Sequence, residues 1–426
     1  MGYPMPGLWV TEHTVAVPLD WSNPEGERID VFVRELVDPE RRNEDLPLLT
    51  FLQGGPGGAN PRPLEPGGWI AEAIKEYRIV LVDQRGTGLS TPLDARAVAE
   101  RGDGRAGADH LACFRADSIV RDLEHVRKTV YDGSRWATLA QSYGGWLTLA
   151  YLSHAPEALN ACYICGGVPG IPADVEEVYR RTFTRTEQKN AEYRRRYPRD
   201  VDAVSAIADH LAGNDVRLPD GDRLTVRRFQ SLGLDFGMKP GFERMHWLVE
   251  GAFIRPGRLS PAFLQEVLVR TSSAVSPLFW TLQEAIYADG TGGATAWAAQ
   301  RERERRPGFA EDARPLLFTG EMAFPWMFEE VRLLRDLRPA VEALAERSGW
   351  PALYDRDRLA ANEVPVAAAV YHDDMYVDAR LQLDTLSGLG NSWSWVTNEF
   401  EHDGVHSGRV FGRLRASMRD RGGEPR

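Results

Sequence analysis

The 426-residue chain is poor in cysteine, has no long uninterrupted apolar run and carries no excess of positive charge. Three cysteines cannot build a disulfide framework, which agrees with a reducing compartment. Cys162 and Cys165 form a CxxC, but Ala161-Cys-Tyr-Ile-Cys165 reads as a buried strand, and no second pair completes a zinc site. No stretch approaches the roughly 20 apolar residues that cross a bilayer. The opening Met1-Gly-Tyr-Pro-Met-Pro-Gly-Leu-Trp9 lacks the basic region and apolar core of a secretory signal. The expectation is a soluble cytoplasmic protein without membrane or metal. A net charge of -11 argues against a nucleic-acid partner, because phosphate binding needs unopposed Lys and Arg. Arginines cluster at 180–199 and 301–306, but Glu and Asp are interleaved with them, as on solvated helix faces.

Apolar residues make up 43% of the chain, enough for a substantial core and against global disorder. Residues 10–20 and 28–37 alternate apolar with polar, the period of half-buried antiparallel strands, with Asn23-Pro-Glu-Gly26 as the turn between them. Leu48-Leu-Thr-Phe-Leu52 and Tyr77-Arg-Ile-Val-Leu-Val82 are near-continuous apolar runs that suit strands covered on both faces. They end in Gln53-Gly-Gly-Pro-Gly-Gly58 and Asp83-Gln-Arg-Gly-Thr-Gly88. Ile119, Val120, Leu123, Val126 and Val130 recur at helical spacing. Strands alternating with helices, with glycine-rich loops at strand ends, indicate an α/β fold with a mostly parallel sheet. Catalytic groups are then expected at the carboxyl ends of the strands. From about residue 171 to about 363 the pattern turns helical, charged and aromatic. The sheet pattern returns at 364–371 and 392–400. This divides the chain into a first core segment (1–170), a mainly helical insert (171–363) and a second core segment (364–426).

Trp136-Ala-Thr-Leu-Ala140-Gln-Ser142-Tyr-Gly144-Gly145-Trp146 passes from a short strand through small residues into a helix. A serine at such a turn is a nucleophile elbow, where bulky residues two places either side are excluded. Ala140 replaces the usual first glycine of GxSxG. A serine hydroxyl needs a base and a carboxylate that orients it. The required order is serine, acid, histidine, and Tyr371-His-Asp373-Asp374-Met-Tyr376 followed by Glu401-His402-Asp-Gly-Val-His406 satisfies it. Asp374 is preferred to Asp373 from its spacing beyond the strand, and His402 to His406. Backbone donors for an oxyanion are expected from Tyr143 and from the Gly54-Gly55-Pro56-Gly57 loop, with Gly55 preferred and Gly54 as alternative.

GGPG at 54–57, DQRGTG at 83–88 and QSYGG at 141–145, in that order, resemble the proline iminopeptidase (prolyl aminopeptidase) family of serine peptidases. TGEM at 319, YHDDMYV at 371 and EHDG at 401 resemble the longer bacterial members. The resemblance implies an α/β-hydrolase core with a large helical cap, no cofactor, and release of an N-terminal residue, typically proline, from short peptides with a free N-terminus. It carries the nucleophile to Ser142, the acid to Asp374, the base to His402 and the oxyanion hole to residues 54–57. Gln53, where a histidine commonly precedes GGPG, and Ala140 depart from the pattern. An aminopeptidase must hold an ammonium group, and a buried cation needs a charged partner. Glu250, Glu284 and Glu321, in apolar or aromatic surroundings, are the candidates, with Trp247, Phe236, Phe253, Trp280 and Trp326 as neighbours for a proline ring. An esterase or amidase of the same fold, acting on a small metabolite, is the alternative.

Overall fold

A computed structural model describes residues 2–172, 174–290 and 292–423. Nine strands form one sheet: β1 (Tyr3–Met5), β2 (Leu8–Pro18), β3 (Arg28–Val37), β4 (Leu48–Leu52), β5 (Arg78–Val82), β6 (Trp136–Gln141), β7 (Leu159–Cys165), β10 (Val366–Tyr371) and β11 (Ser392–Thr397). A separate hairpin, β8 (Phe253–Arg255) with β9 (Arg258–Leu259), interrupts the helical stretch. The sheet order is β1-β2-β3-β5-β4-β6-β7-β10-β11. β1 to β3 are antiparallel and β3 meets β5 antiparallel, while every pairing from β5 through β11 is parallel. The buried parallel strands are those with continuous apolar runs: all six residues of β6 and of β10 are buried.

Helices cover both faces. On one lie α1 (Ala116–Val130) and α2 (Gly144–His154), and α2 is buried along nearly its whole length. On the other lies α7 (Arg409–Asp420), whose Phe411 packs edge-on against Tyr163 at 5.2 Å. Arg413 lies over Trp395 at 4.3 Å and covers the edge strand β11. Between β7 and β10 the described residues form short and long helices joined by irregular loops, besides the hairpin, and include α3 (Val175–Arg196), α4 (Gly241–Glu250) and α5 (Ala298–Glu304). α6 (Ala379–Ser387) connects β10 to β11.

Cys162 and Cys165 are both in β7, buried on opposite faces of the sheet. Burial pushes both thiols up to about 12. The DQRGTG loop is an anchor: Arg85 is buried, its guanidinium bonded to Asp122 at 2.6 Å through two nitrogens and to the carbonyls of Pro18, Leu19 and Cys113. It ties the end of β5 to α1 and to the end of β2. Among the described residues, no helix is long and apolar enough to cross a membrane and no three His, Cys, Asp or Glu are grouped to hold a metal ion.

Candidate active site

Ser142 follows the last residue of β6 and has φ of +53°, a left-handed conformation that is costly for a residue with a side chain. The chain reverses there within the space of one backbone. A Cβ on Gly144 would lie 2.0 Å from the Leu52 carbonyl oxygen, and one on Gly145 1.7 Å from that of Gly167. The Ser142 amide donates to the Cys165 carbonyl at 3.1 Å, and the Ser142 carbonyl accepts from Gly145 at 2.8 Å. Ala140 lies inside β6, paired with Leu52 and Ile164, and is fully buried; its methyl is absorbed in the sheet, away from the reversal.

Asp374 lies three residues beyond β10 and His402 five beyond β11. Asp374 Oδ2 and His402 Nδ1 are 2.7 Å apart, both side chains almost without solvent contact. Asp374 Oδ1 accepts from the amides of Tyr376 at 2.8 Å and Val377 at 3.1 Å, which fixes the carboxylate in the plane that meets the imidazole. Asp373, its neighbour, turns to Arg185 instead, at 3.2 Å. His402 is held by its own amide, which donates to Gly237 at 2.9 Å, and its ring stands edge-on to Tyr376. Burial alone would push the imidazole down; the Asp374 charge and hydrogen bond, with Glu321 and Asp403, more than offset it, so His402 holds its proton above the ordinary value. The Gln141 side chain donates to the His402 carbonyl at 2.8 Å, which ties the histidine loop to the residue before Ser142. His402 Nε2 is buried and bonds to no protein group among the described residues, so the Ser142–His402 hydrogen bond is not closed in this conformation. His406 is exposed.

The GGPG loop lies against the serine: a Cβ on Gly54 would sit 2.9 Å from Ser142 Cβ. Gln53 braces it. Its Oε1 accepts the Gly54 amide at 2.8 Å, its Nε2 donates to Ala59 at 3.1 Å, and its carbonyl accepts from Gln84 at 2.8 Å. The Gly54 N–H is therefore already engaged. Gly55 follows it in the loop at φ +131°, and Tyr143 directly follows the serine at the start of α2.

Of the three glutamates, Glu321 feels the charges of Asp374 and His402, Glu284 lies near the same two tyrosines, Tyr179 and Tyr287, as Glu321, and Glu250 is on the exposed end of α4. Glu321 keeps some solvent contact, yet the protein around it desolvates the carboxyl and pushes it up to about 7, opposed by His402 and reinforced by Asp374. Glu284 is buried and also raised to about 7 by burial, although it accepts the Ala299 amide at 3.0 Å where α5 begins. Its Oε2 is buried without a partner among the described residues. Tyr179 and Tyr287 both feel the charges of Glu284 and Glu321. Glu250 is exposed at the end of α4, and Trp247 on the same helix is 64% exposed.

Trp280 borders the small recess beside Glu284, together with Thr295, Trp297 and Ala323. Phe236 is buried among Tyr193, Phe242 and Phe318; Phe253 lies on the hairpin against His210; Trp326 stacks on Phe324. Gln283, Tyr179, Tyr287 and Tyr376 belong to the site without having been singled out in the sequence. Gln283 is close enough to the Glu321 carboxyl to favour its charged form and directly precedes Glu284, which is the one local signal that existed.

A family model described as the alpha/beta hydrolase fold matches residues 47–215. Over 422 residues the chain is 44% identical to the protein named proline iminopeptidase from Aeromonas sobria, with 98% of each chain covered. It is 36% identical over 413 residues to proline iminopeptidase aneH of Aspergillus aculeatus, covering 93% of this chain and 90% of that one. A shorter match, 30% identical over 138 residues, reaches the proline iminopeptidase of Neisseria gonorrhoeae and covers 32% of this chain and 37% of that one.

Proposed function

The chain belongs to the proline iminopeptidase family of α/β hydrolases, and from that premise we propose how its residues release an N-terminal proline from a peptide. It is a serine hydrolase, and Ser142 is its nucleophile in this reading. Ser142 Oγ attacks the carbonyl carbon of the first residue while its proton passes to His402 Nε2. Asp374 holds the other ring nitrogen and stabilises the imidazolium. The amides of Gly55 and Tyr143 receive the oxyanion, each donor of this kind being worth about 10²–10³ in rate. Collapse of the intermediate breaks the peptide bond, and the proton on Nε2 goes to the departing amine. A water then loses its proton to Nε2 and attacks the acyl-enzyme; the serine leaves with that proton and free proline departs.

The substrate's ammonium group, in this reading, is held by Glu321 and Glu284. The observation that supports it is that the Glu321 carboxyl is desolvated and close enough to Asp374 and His402 for their charges to act on it, so that a cation bound to it would lie near the base. The helical stretch 171–363 acts as the cap that closes this pocket and limits substrates to short peptides with a free N-terminus. The enzyme works in the cytoplasm and has no nucleic-acid partner. Hydrolysis of a chromogenic proline amide, beside its N-acetylated form and simple esters, tests the reading. Turnover of the free amide only, lost in Ser142→Ala, is expected. Ester turnover indifferent to a free amine would replace it with the esterase alternative.

A further inference from the structure

One face of α3 carries Arg181, Arg185 and Lys189 at successive turns of the helix, and each grips a loop of the catalytic core. Arg181 reaches Asp378, which caps α6, at 3.2 Å. Arg185 donates to the Asp373 carboxylate at 3.2 Å and to the His372 carbonyl at 3.1 Å, the two residues before Asp374. Lys189 donates to both oxygens of Glu401 at 2.7 Å, and Glu401 is the residue before His402. The Lys189 side chain is only 3% exposed and that of Glu401 16%, so this is not a solvated surface pair. The next residue, Asn190, exchanges two hydrogen bonds with the Phe318 backbone, three positions before Glu321. A helix of the insert thus holds the segments that carry acid, base and Glu321.

We propose that Lys189, acting through Glu401, is a positioning residue for the base His402, and that Arg185, acting through Asp373 and the His372 carbonyl, does the same for Asp374. The inference rests on the triad reading above. A lysine taken out of water is costly unless its partner is close and well directed. The cost is met here by a carboxylate at a single backbone step from the base, so the insert cannot move off the core without disturbing that base. Glu401 also faces Asp374 and Lys239, and His402 faces Asp374, Glu321 and Asp403. Lys189 is the cation bonded to Glu401, one residue from the base, and Lys239 adds a second, weaker positive charge there.

The test uses the full chain, with steady-state kinetics on a chromogenic proline amide across pH. Glu401→Gln leaves a lysine unpaired near the base and should move the acidic limb of kcat/KM to lower pH; Lys189→Met leaves a carboxylate unpaired and should move it to higher pH. Each single change should lower kcat about tenfold or more with KM within about twofold. Lys189→Met/Glu401→Gln, which removes both charges and guards against a variant that fails to fold, should lose less than the two singles combined. Arg185→Met should lower kcat with no change in Tm large enough to account for it. If the wild type cleaves the amide through Ser142 while both singles keep its kcat and its pH profile, the positioning role is overturned and the triad reading stands. If both singles shift the limb in the same direction, the charge argument fails.

Discussion

Every group used here for bond making lies within five residues of a sheet strand's end, whereas the carboxylates used for binding come from the helical stretch between β7 and β10. The two regions solve different problems. Strand ends are fixed by register: β6 is flanked by β4 and β7, so the positions of residues 54 and 142 follow from hydrogen-bonded pairs such as Leu52–Ala140. The helical stretch has no such lattice, and the place of Glu321 depends on how Asn190 catches Phe318 and how Gly320 packs against Thr186. On the proposed assignment, reaction chemistry sits where geometry is set locally, and substrate recognition sits where packing sets it.

The sharpest way to break that contrast is to ask each region for its contribution separately. Ser142→Ala should abolish turnover, by about 10⁴-fold or more in kcat, with the fold intact by circular dichroism. Glu321→Gln should act mainly on binding. Losing one partner of a desolvated charge pair costs about 2–5 kcal/mol, which at the lower end is a KM increase of about 30-fold for the proline amide. A fall in kcat as deep as that of Ser142→Ala, at constant KM, would show that the division of labour does not hold.

pH probes the same boundary. Neutral His402 is required as base and its proton is held above the ordinary value, so kcat/KM should rise with pH along a limb centred above about 6.5. Burial pushes Glu284 and Glu321 up to about 7, so in the proposed role their binding of an ammonium group should strengthen over the same interval and steepen the limb. Stability runs the opposite way. Glu284 is about 7 folded and near 4.3 unfolded, so between these values the native state binds more protons. Its stabilising contribution is complete below the unfolded value and is lost as pH rises through 7, on the order of 3 kcal/mol by pH 8. Glu284→Gln should flatten the decline of Tm between pH 5 and pH 8; an unchanged slope would mean that the buried carboxyl is compensated elsewhere. The smallest effects are expected from Glu250→Gln, exposed on α4, and Ala140→Gly, inside β6. Both should leave kcat/KM within about twofold, and Ala140→Gly should cost no more than about 1 kcal/mol of stability.

The parallel strands could be read from apolar runs, and the elbow from its small residues, because both are dictated by neighbours in the chain. β3 and β4 coincide with the expected 28–37 and 48–52, and β2 begins two residues earlier than the alternation suggested. The hairpin at 253–259 is too short to show a period within a helical stretch. Spacing alone left two aspartates open after β10. What separates them is invisible in sequence: Asp373 faces Arg185 on a helix almost two hundred residues earlier, and Asp374 faces His402. Glu250, in Trp247-Leu-Val-Glu250, and Glu321, in Thr319-Gly-Glu321-Met, have equally apolar neighbours in the chain, yet one ends an exposed helix turn and the other is half-buried within reach of the charges of Asp374 and His402. Gln53 was noted only as a departure, and its role in engaging the Gly54 amide needs the loop's path to be known.

The sheet order also has a consequence for biosynthesis. The elbow serine and the glycine loop belong to strands made early, but Asp374 and His402, the proposed acid and base, follow β10, which pairs with β7, and β11, which pairs with β10, and both strands are made only after the whole helical stretch. A growing chain that has completed β7 holds a strained serine with nothing to take its proton. On the proposed assignment, a chain assembled in this order should be inert on the ribosome until its last strands seat.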